Sequence, residues 1–263
     1  MAKKGGRFSK LELGENSKKI PRPHSAVEEY SDQYYLGLGL ESYMNGRYEE
    51  SIRIFSKAIN INRDFEPAWL GQIVSMLKHG DLKEANIWIE RAVERFKYSS
   101  DVWSLKSLLA LYMGEKKKAL SLSDIALTKD KPTYHSWLVR AQVLLTLRTN
   151  GWDFCIDRAL EVNPNDFIVL FEVGDIMEQY NKLSQAEDYF NQSVALKPKN
   201  AYVWYRLGLV RSKMGFGKRS LDCFEEALNL EGDRKEFRKA FKKAKKSGVL
   251  SRLFRKATSK SVA

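Results

Sequence analysis

Through the middle of the chain, apolar residues recur at three- and four-residue spacing in short runs separated by polar breaks. Leu36, Leu40, Tyr43 and Met44 form one run, Leu70, Val74 and Leu77 the next, and Leu108, Leu111 and Tyr112 a third. That spacing lines one face of a helix with apolar side chains. Gly46, Gly80 and Gly114 each fall where a run breaks, and Gly215 stands in the same local context later. The pattern predicts pairs of short amphipathic helices, with a glycine turn ending the first helix of each pair.

The pairs repeat. Trp69, Trp103 and Trp137 are spaced by 34 residues, Tyr35 lies 34 before the first of them, and Trp204 lies 67 after the last. Small residues follow at Ser51, Ala85, Ala119, Ala186 and Ser220, and again at Ala58, Ala92, Ala126, Ala159, Ser193 and Ala227. Between them stand Phe55, Ile89, Ser123, Ile156, Phe190 and Phe224. Small residues suit points where two helix backbones approach closely, and the large ones fill the space between units. One pair cannot bury its apolar face alone, so neighbours must stack into a solenoid. Six units result, over residues 32–65, 66–99, 100–133, 134–166, 167–200 and 201–232. The fourth is one residue short, and Asn150-Gly151-Trp152-Asp153 replaces its turn and close-contact alanine, which reads either as a deletion tolerated in a surface turn or as a local change of superhelical pitch that reshapes the groove beside it.

The spaced pattern W-x2-L-G…A-x3-F…A…P resembles that of the tetratricopeptide repeat family. Trp204, Leu207, Gly208, Ser220, Phe224 and Ala227 occupy successive signature positions in unit six, and Gly174, Ala186, Phe190 and Pro198 do so in unit five. The resemblance implies an all-α, right-handed superhelical solenoid of about six helix-turn-helix repeats over residues 31–232. It also implies a concave groove, lined by first helices, that takes a peptide or protein segment. Carried over position by position, the groove comprises Leu36, Leu40, Tyr43, Leu70, Val74, Leu108, Leu111, Tyr112, Phe171, Tyr202 and Tyr205. That strip holds more apolar surface than two short helices per unit need to bury, which marks it for recognition. Leu36, Leu40 and Gly71 stand where the family's carboxylate clamp has Lys and Asn, so the clamp for chaperone tails is missing.

Composition sharpens the ends. The formal net charge is +12. Residues 1–30 carry seven Lys/Arg against four Asp/Glu, and residues 233–263 twelve against two, which leaves the repeat region at −1. Residues 1–30 read as a basic, disordered tail. Over residues 233–263, Phe237, Phe241 and Ala244 recur at helical spacing, the mark of a capping helix. Lys242, Lys243, Lys245, Lys246, Arg252, Arg255 and Lys256 form a single-sign cluster that capping does not require, so they are candidate polyanion contacts. The expected function is a non-enzymatic scaffold or adaptor that holds a protein or peptide in the groove while its basic ends contact an acidic partner surface; nucleic acid and an anionic membrane are the alternatives for the ends, and self-association through the end units of the solenoid is also open.

Catalysis lacks its parts. His24, His79 and His135 have no metal-ligand spacing and read as solvated or capping residues. The turn Gly215 to Ser220 follows no strand and places its serine one residue too late for a phosphate loop. Cys155 and Cys223 sit among apolar neighbours as inert packing thiols, and a reducing, cytoplasmic setting suits two lone cysteines. No cofactor is expected. The N-terminus lacks the apolar core of a secretory signal, Ala2 excludes myristoylation, and no apolar run approaches the roughly 18 residues needed to cross a bilayer.

Overall fold

The computed structural model describes residues 30–246. All named elements are helices, in the order α1(Asp32–Met44), α2(Tyr48–Ile61), α3(Glu66–His79), α4(Leu82–Arg95), α5(Ser100–Tyr112), α6(Lys116–Leu127), α7(Tyr134–Leu147), α8(Trp152–Val162), α9(Phe167–Gln179), α10(Leu183–Leu196), α11(Ala201–Lys213) and α12(Gly217–Leu230). A further helix, α13, covers residues 235–246. The all-α repeat reading therefore holds.

Local chemistry explains the boundaries. The first helix of most repeats is opened by a side-chain cap at the 34-residue interval. Ser31 and Ser99 accept from the backbone N–H three residues on, at 3.1 and 3.2 Å. Thr133 accepts from the N–H two residues on, Asp166 from those two and three on, and Asn200 from that three on, capping α7, α9 and α11. Where α3 begins with Phe65 as its cap residue, a proline in the first turn takes over. Each first helix ends on a left-handed residue at a fixed position: Gly46, Gly80, Gly114, Arg148, Asn181 and Gly215. The next N–H then reaches back five residues, as in Arg47 to Ser42 and Phe216 to Arg211, closing a Schellman turn.

The signature residues pack as expected. The small residues of the second helices, from Ser51 to Ala227, are buried, and Phe55, Phe190 and Phe224 are among the largest fully buried side chains. Glycine is required where these rings lie. A Cβ on Gly39 or Gly71 would fall 2.5 or 2.4 Å from the Phe55 ring, and one on Gly208 2.6 Å from Phe224. Three signature tryptophans tie their repeats to the turn before. Trp69, Trp103 and Trp204 each donate their indole N–H to the carbonyl six residues upstream, on Arg63, Lys97 and Pro198, at 2.8 to 2.9 Å.

The chain divides into two compact units with the boundary between Trp152 and Asp153, inside the irregular fourth repeat. The interval from Gly114 to Arg148 is still 34 residues, so the missing residue lies later. In the other repeats the second helix begins two residues after the left-handed residue, whereas α8 begins four after Arg148. The turn is thus lengthened, and α8, at 11 residues, is the element that is shortened. This corrects the reading of a deletion in the turn. In the first unit, one core runs from Ile52 through Trp69, Trp88 and Leu105 to Val143.

Candidate functional site

The inner-face residues separate into two classes. Leu36, Leu40, Leu70, Val74 and Tyr112 are half-buried and pack against the core of the first unit while keeping part of their surface open. Tyr205, in the second unit, is also half-buried. Tyr43, Leu108, Leu111, Phe171 and Tyr202 are buried, at 9% exposure or less, and are not available as the open recognition positions expected of them. Neighbours account for this. Tyr43 rests on Tyr48 of the same hairpin at 5.6 Å between ring centroids. Leu108 and Leu111 belong to α5, which packs against both α3 and α7. Phe171 and Tyr202 pack on each other at 5.9 Å, with Phe190 on one side and Tyr205 on the other. The expected excess of apolar surface is therefore largely consumed by packing between consecutive repeats.

The second unit contains a charged cluster at the same repeat positions. Arg206 Nη2 pairs with Asp175 and lies 2.6 Å from Glu178 Oε2, while Lys213 Nζ lies 2.7 Å from Glu178 Oε1. Its guanidinium also covers Phe190 and Tyr202 at 5.6 and 5.9 Å. Burial works against the Arg206 charge, but the two carboxylates outweigh it and hold its pKa well above the ordinary guanidinium value. A second arginine, Arg234, lies over Tyr202 and Phe237 and pairs with Glu231 and Glu236. Phe237, from α13, stacks on Tyr205 at 4.7 Å. Burial, with Glu236 nearby, raises the Tyr205 phenol above its usual pKa. This face is satisfied internally: every strong charge within it has a partner.

Neither Arg206 nor Arg234 is among the groove positions that the repeat pattern predicts. The available signal was an arginine beside signature Leu207, at the position where repeat two has Gly71. The missing clamp also finds its explanation: Leu36 and Leu40 pack against the core, and Gly71 makes room for Phe55.

Of the basic candidates, Lys242, Lys243, Lys245 and Lys246 lie exposed on α13. Arg252, Arg255 and Lys256 lie outside the described residues. Cys155 and Cys223 are buried thiols that form no disulfide; burial raises the Cys223 pKa, although Arg211 donates to its sulfur at 3.0 Å. His79 is exposed, with Nε2 3.8 Å from Asp81. His135 occupies the capped first turn of α7, but its Nε2 is buried without a hydrogen-bond partner, which corrects the solvated reading. Among the described residues no group of three or more His, Cys, Asp and Glu is placed to hold a metal, and no helix is long and apolar enough to cross a membrane. A cleft of about 520 Å³ at the turn edge of the first unit is lined by Arg95, Lys97 and Lys131 alongside Glu66, Asp101 and Asp130, a mixture of signs that points to no one ligand class.

Comparison with known proteins agrees with this architecture. Residues 32–65 match the family described as tetratricopeptide repeat. Over 170 residues, 64% of this chain, it is 26% identical to anaphase-promoting complex subunit 3 of Schizosaccharomyces pombe, spanning 26% of that protein. Over 231 residues, 85% of the chain, it is 24% identical to the human protein O-mannosyl-transferase TMTC1, spanning 22% of it. The chain thus spans about a quarter of the length of these relatives. Among solved structures, one of the APC/C hetero-tetramer Cut9-Hcn1 is similar in fold, with a TM-score of 0.51 and 16% identity over 81% of this chain and 43% of that one.

Proposed function

Because this chain is a tetratricopeptide-repeat protein, we propose that it is a non-enzymatic scaffold or adaptor whose first helices hold a segment of another protein, while its basic C-terminal end engages an anionic surface. Proteins of this repeat family mediate protein–protein interactions and scaffold complexes. The observation that carries the reading to this chain is the strip formed by Leu36 and Leu40 on α1, Leu70 and Val74 on α3, and Tyr112 on α5, half-buried on consecutive first helices. Partly open aliphatic side chains with one aromatic suit the apolar face of an amphipathic helix or an extended apolar segment.

A peptide library displayed against the full chain tests this reading. Apolar or amphipathic sequences should be enriched, and Leu40→Asp with Val74→Asp should reduce their binding at least about tenfold. Circular dichroism of the double variant must show the helix content of the parent chain. Enrichment of peptides indifferent to both substitutions would place recognition elsewhere.

A further inference from the structure

The 34-residue register continues past the sixth repeat. Phe237 and Ala244 lie one period after Val203 and Val210, and all four side chains are buried. α13 therefore packs as the first helix of a repeat, and that packing uses up its apolar side: Ala240 and Phe241 are half-buried, with Lys245 Nζ 6.0 Å above the Phe241 ring. The other side is lysine. Lys235, Lys239, Lys242 and Lys246 fall at i, i+4, i+7 and i+11, form one stripe, and are all exposed.

Neutralisation stops at the start of the helix. Arg234 pairs with Glu231 and Glu236, and Arg238 with Asp233. Beyond Glu236 the described helix carries no acidic residue, and the four stripe lysines form no ion pair among the described residues. Lys242 also stands one period after Gly208, where the sixth repeat receives the Phe224 ring. Like charges one turn apart oppose helix formation. Covering the apolar face of α11 and α12 requires Phe237 and Ala244 but none of these lysines, so packing leaves the charge without a role.

We propose that this stripe docks the phosphate backbone of a nucleic-acid duplex. This deepens the reading of the basic end as an anion-engaging surface and is independent of the inner-face strip. Charge density supports it: eleven residues of helix rise about 16 Å, over which one strand of a duplex presents about five phosphates to four lysines. Side-chain type supports it too. Lysine is a point-charge phosphate ligand and is depleted from protein interfaces, which are anchored by aromatics and arginine. The exposed face offers no aromatic anchor and no Asn or Gln to read a base edge, and its one exposed arginine, Arg238, is already paired with Asp233, so binding is indifferent to sequence. A bilayer is disfavoured, because an interfacial helix inserts apolar side chains, whereas Phe237 and Ala244 are committed inward.

The test is fluorescence anisotropy of the full chain with mixed-sequence DNA and RNA duplexes of about 20 base pairs, from about 50 to about 300 mM KCl. Binding should fall linearly on a log-log plot. Changing Lys235, Lys239, Lys242 and Lys246 together to Ala should make the slope shallower by about 3 to 4 and weaken binding more than about tenfold at the lower salt. The corresponding four Lys→Arg changes should preserve both. Circular dichroism confirms that α13 survives, since removing repulsion favours the helix. Poly-glutamate and phosphatidylserine vesicles are the comparison arms. No duplex binding at low salt, a slope unmoved by the Ala variant, or equal stripe-dependent binding to poly-glutamate or vesicles would each overturn the proposal.

Discussion

The two units meet the same packing problem with different chemistry. At the ninth and twelfth positions of one repeat and the sixth of the next, the first unit has Leu40, Tyr43 and Gly71, then Val74, Leu77 and Leu105, then Leu108, Leu111 and Val139. The second unit has Asp175, Glu178 and Arg206. Polar contacts between helices follow suit. In the first unit the buried ones are hydroxyl bonds, Ser51 to Gly39 O and Ser75, Ser100 to Ser136, and Ser107 to Ala119 O, while the charge pairs Arg140 with Asp124 and Lys106 with Glu90 each keep an exposed carboxylate. In the second they are charge pairs, Arg206 with Asp175 and Glu178, and Arg211 with Glu187. The Phe55 ring is gripped between two glycines, whereas Phe190 has Gly174 on one side and the Arg206 guanidinium on the other. The repeat thus fixes where helices meet but not the forces acting there, and a unit held by buried ions is the more vulnerable to loss of a single side chain.

The largest effect should come from breaking the ionic solution. Arg206→Met removes the guanidinium shared by Asp175 and Glu178, whose side chains are 13% and 7% exposed, and should cost about 3 kcal/mol in urea unfolding. Converting all three to the first unit's chemistry, Asp175→Leu, Glu178→Leu and Arg206→Met together, should restore stability to within about 1 kcal/mol. A harmless single change would show that the cluster does not hold the second unit. Next come the ring seats: Gly39→Ala or Gly71→Ala should cost about 1 to 3 kcal/mol. Gly174→Ala should cost less than either, because its Cβ would lie 2.9 Å from Phe190. An inverted ranking by thermal denaturation would contradict the two-glycine grip. The smallest effect belongs to the left-handed position. Arg148→Gly should stabilise by about 0.5 kcal/mol, and Gly80→Ala should destabilise by about 1 kcal/mol, since only glycine adopts that backbone without strain.

Much of the fold was legible because the repeat constrains single residues tightly. Trp69, Ala92 and Phe224 announce their roles: a small residue at a helix crossing, and a ring over glycine, have few substitutes. The shortening of α8 was not legible, because a missing residue can be absorbed anywhere between Arg148 and Ile156 and only the backbone shows where. The inner face was read least well. Tyr43 and Leu111 look open on a helical projection of one repeat, but their burial depends on neighbours whose approach no single-repeat pattern encodes. Arg206 was missed for the same reason: its carboxylate partners lie 31 and 28 residues away in sequence.

The tryptophan hydrogen bonds have a spectroscopic consequence. Each indole proton of Trp69, Trp103 and Trp204 is held by a carbonyl of the turn leading into its own repeat, so it exchanges with solvent only when that turn opens. Indole resonances lie apart from the crowded amide envelope of a helical protein. These three protons therefore act as resident clocks, two in the first unit and one in the second, timing the opening of individual seams without any label.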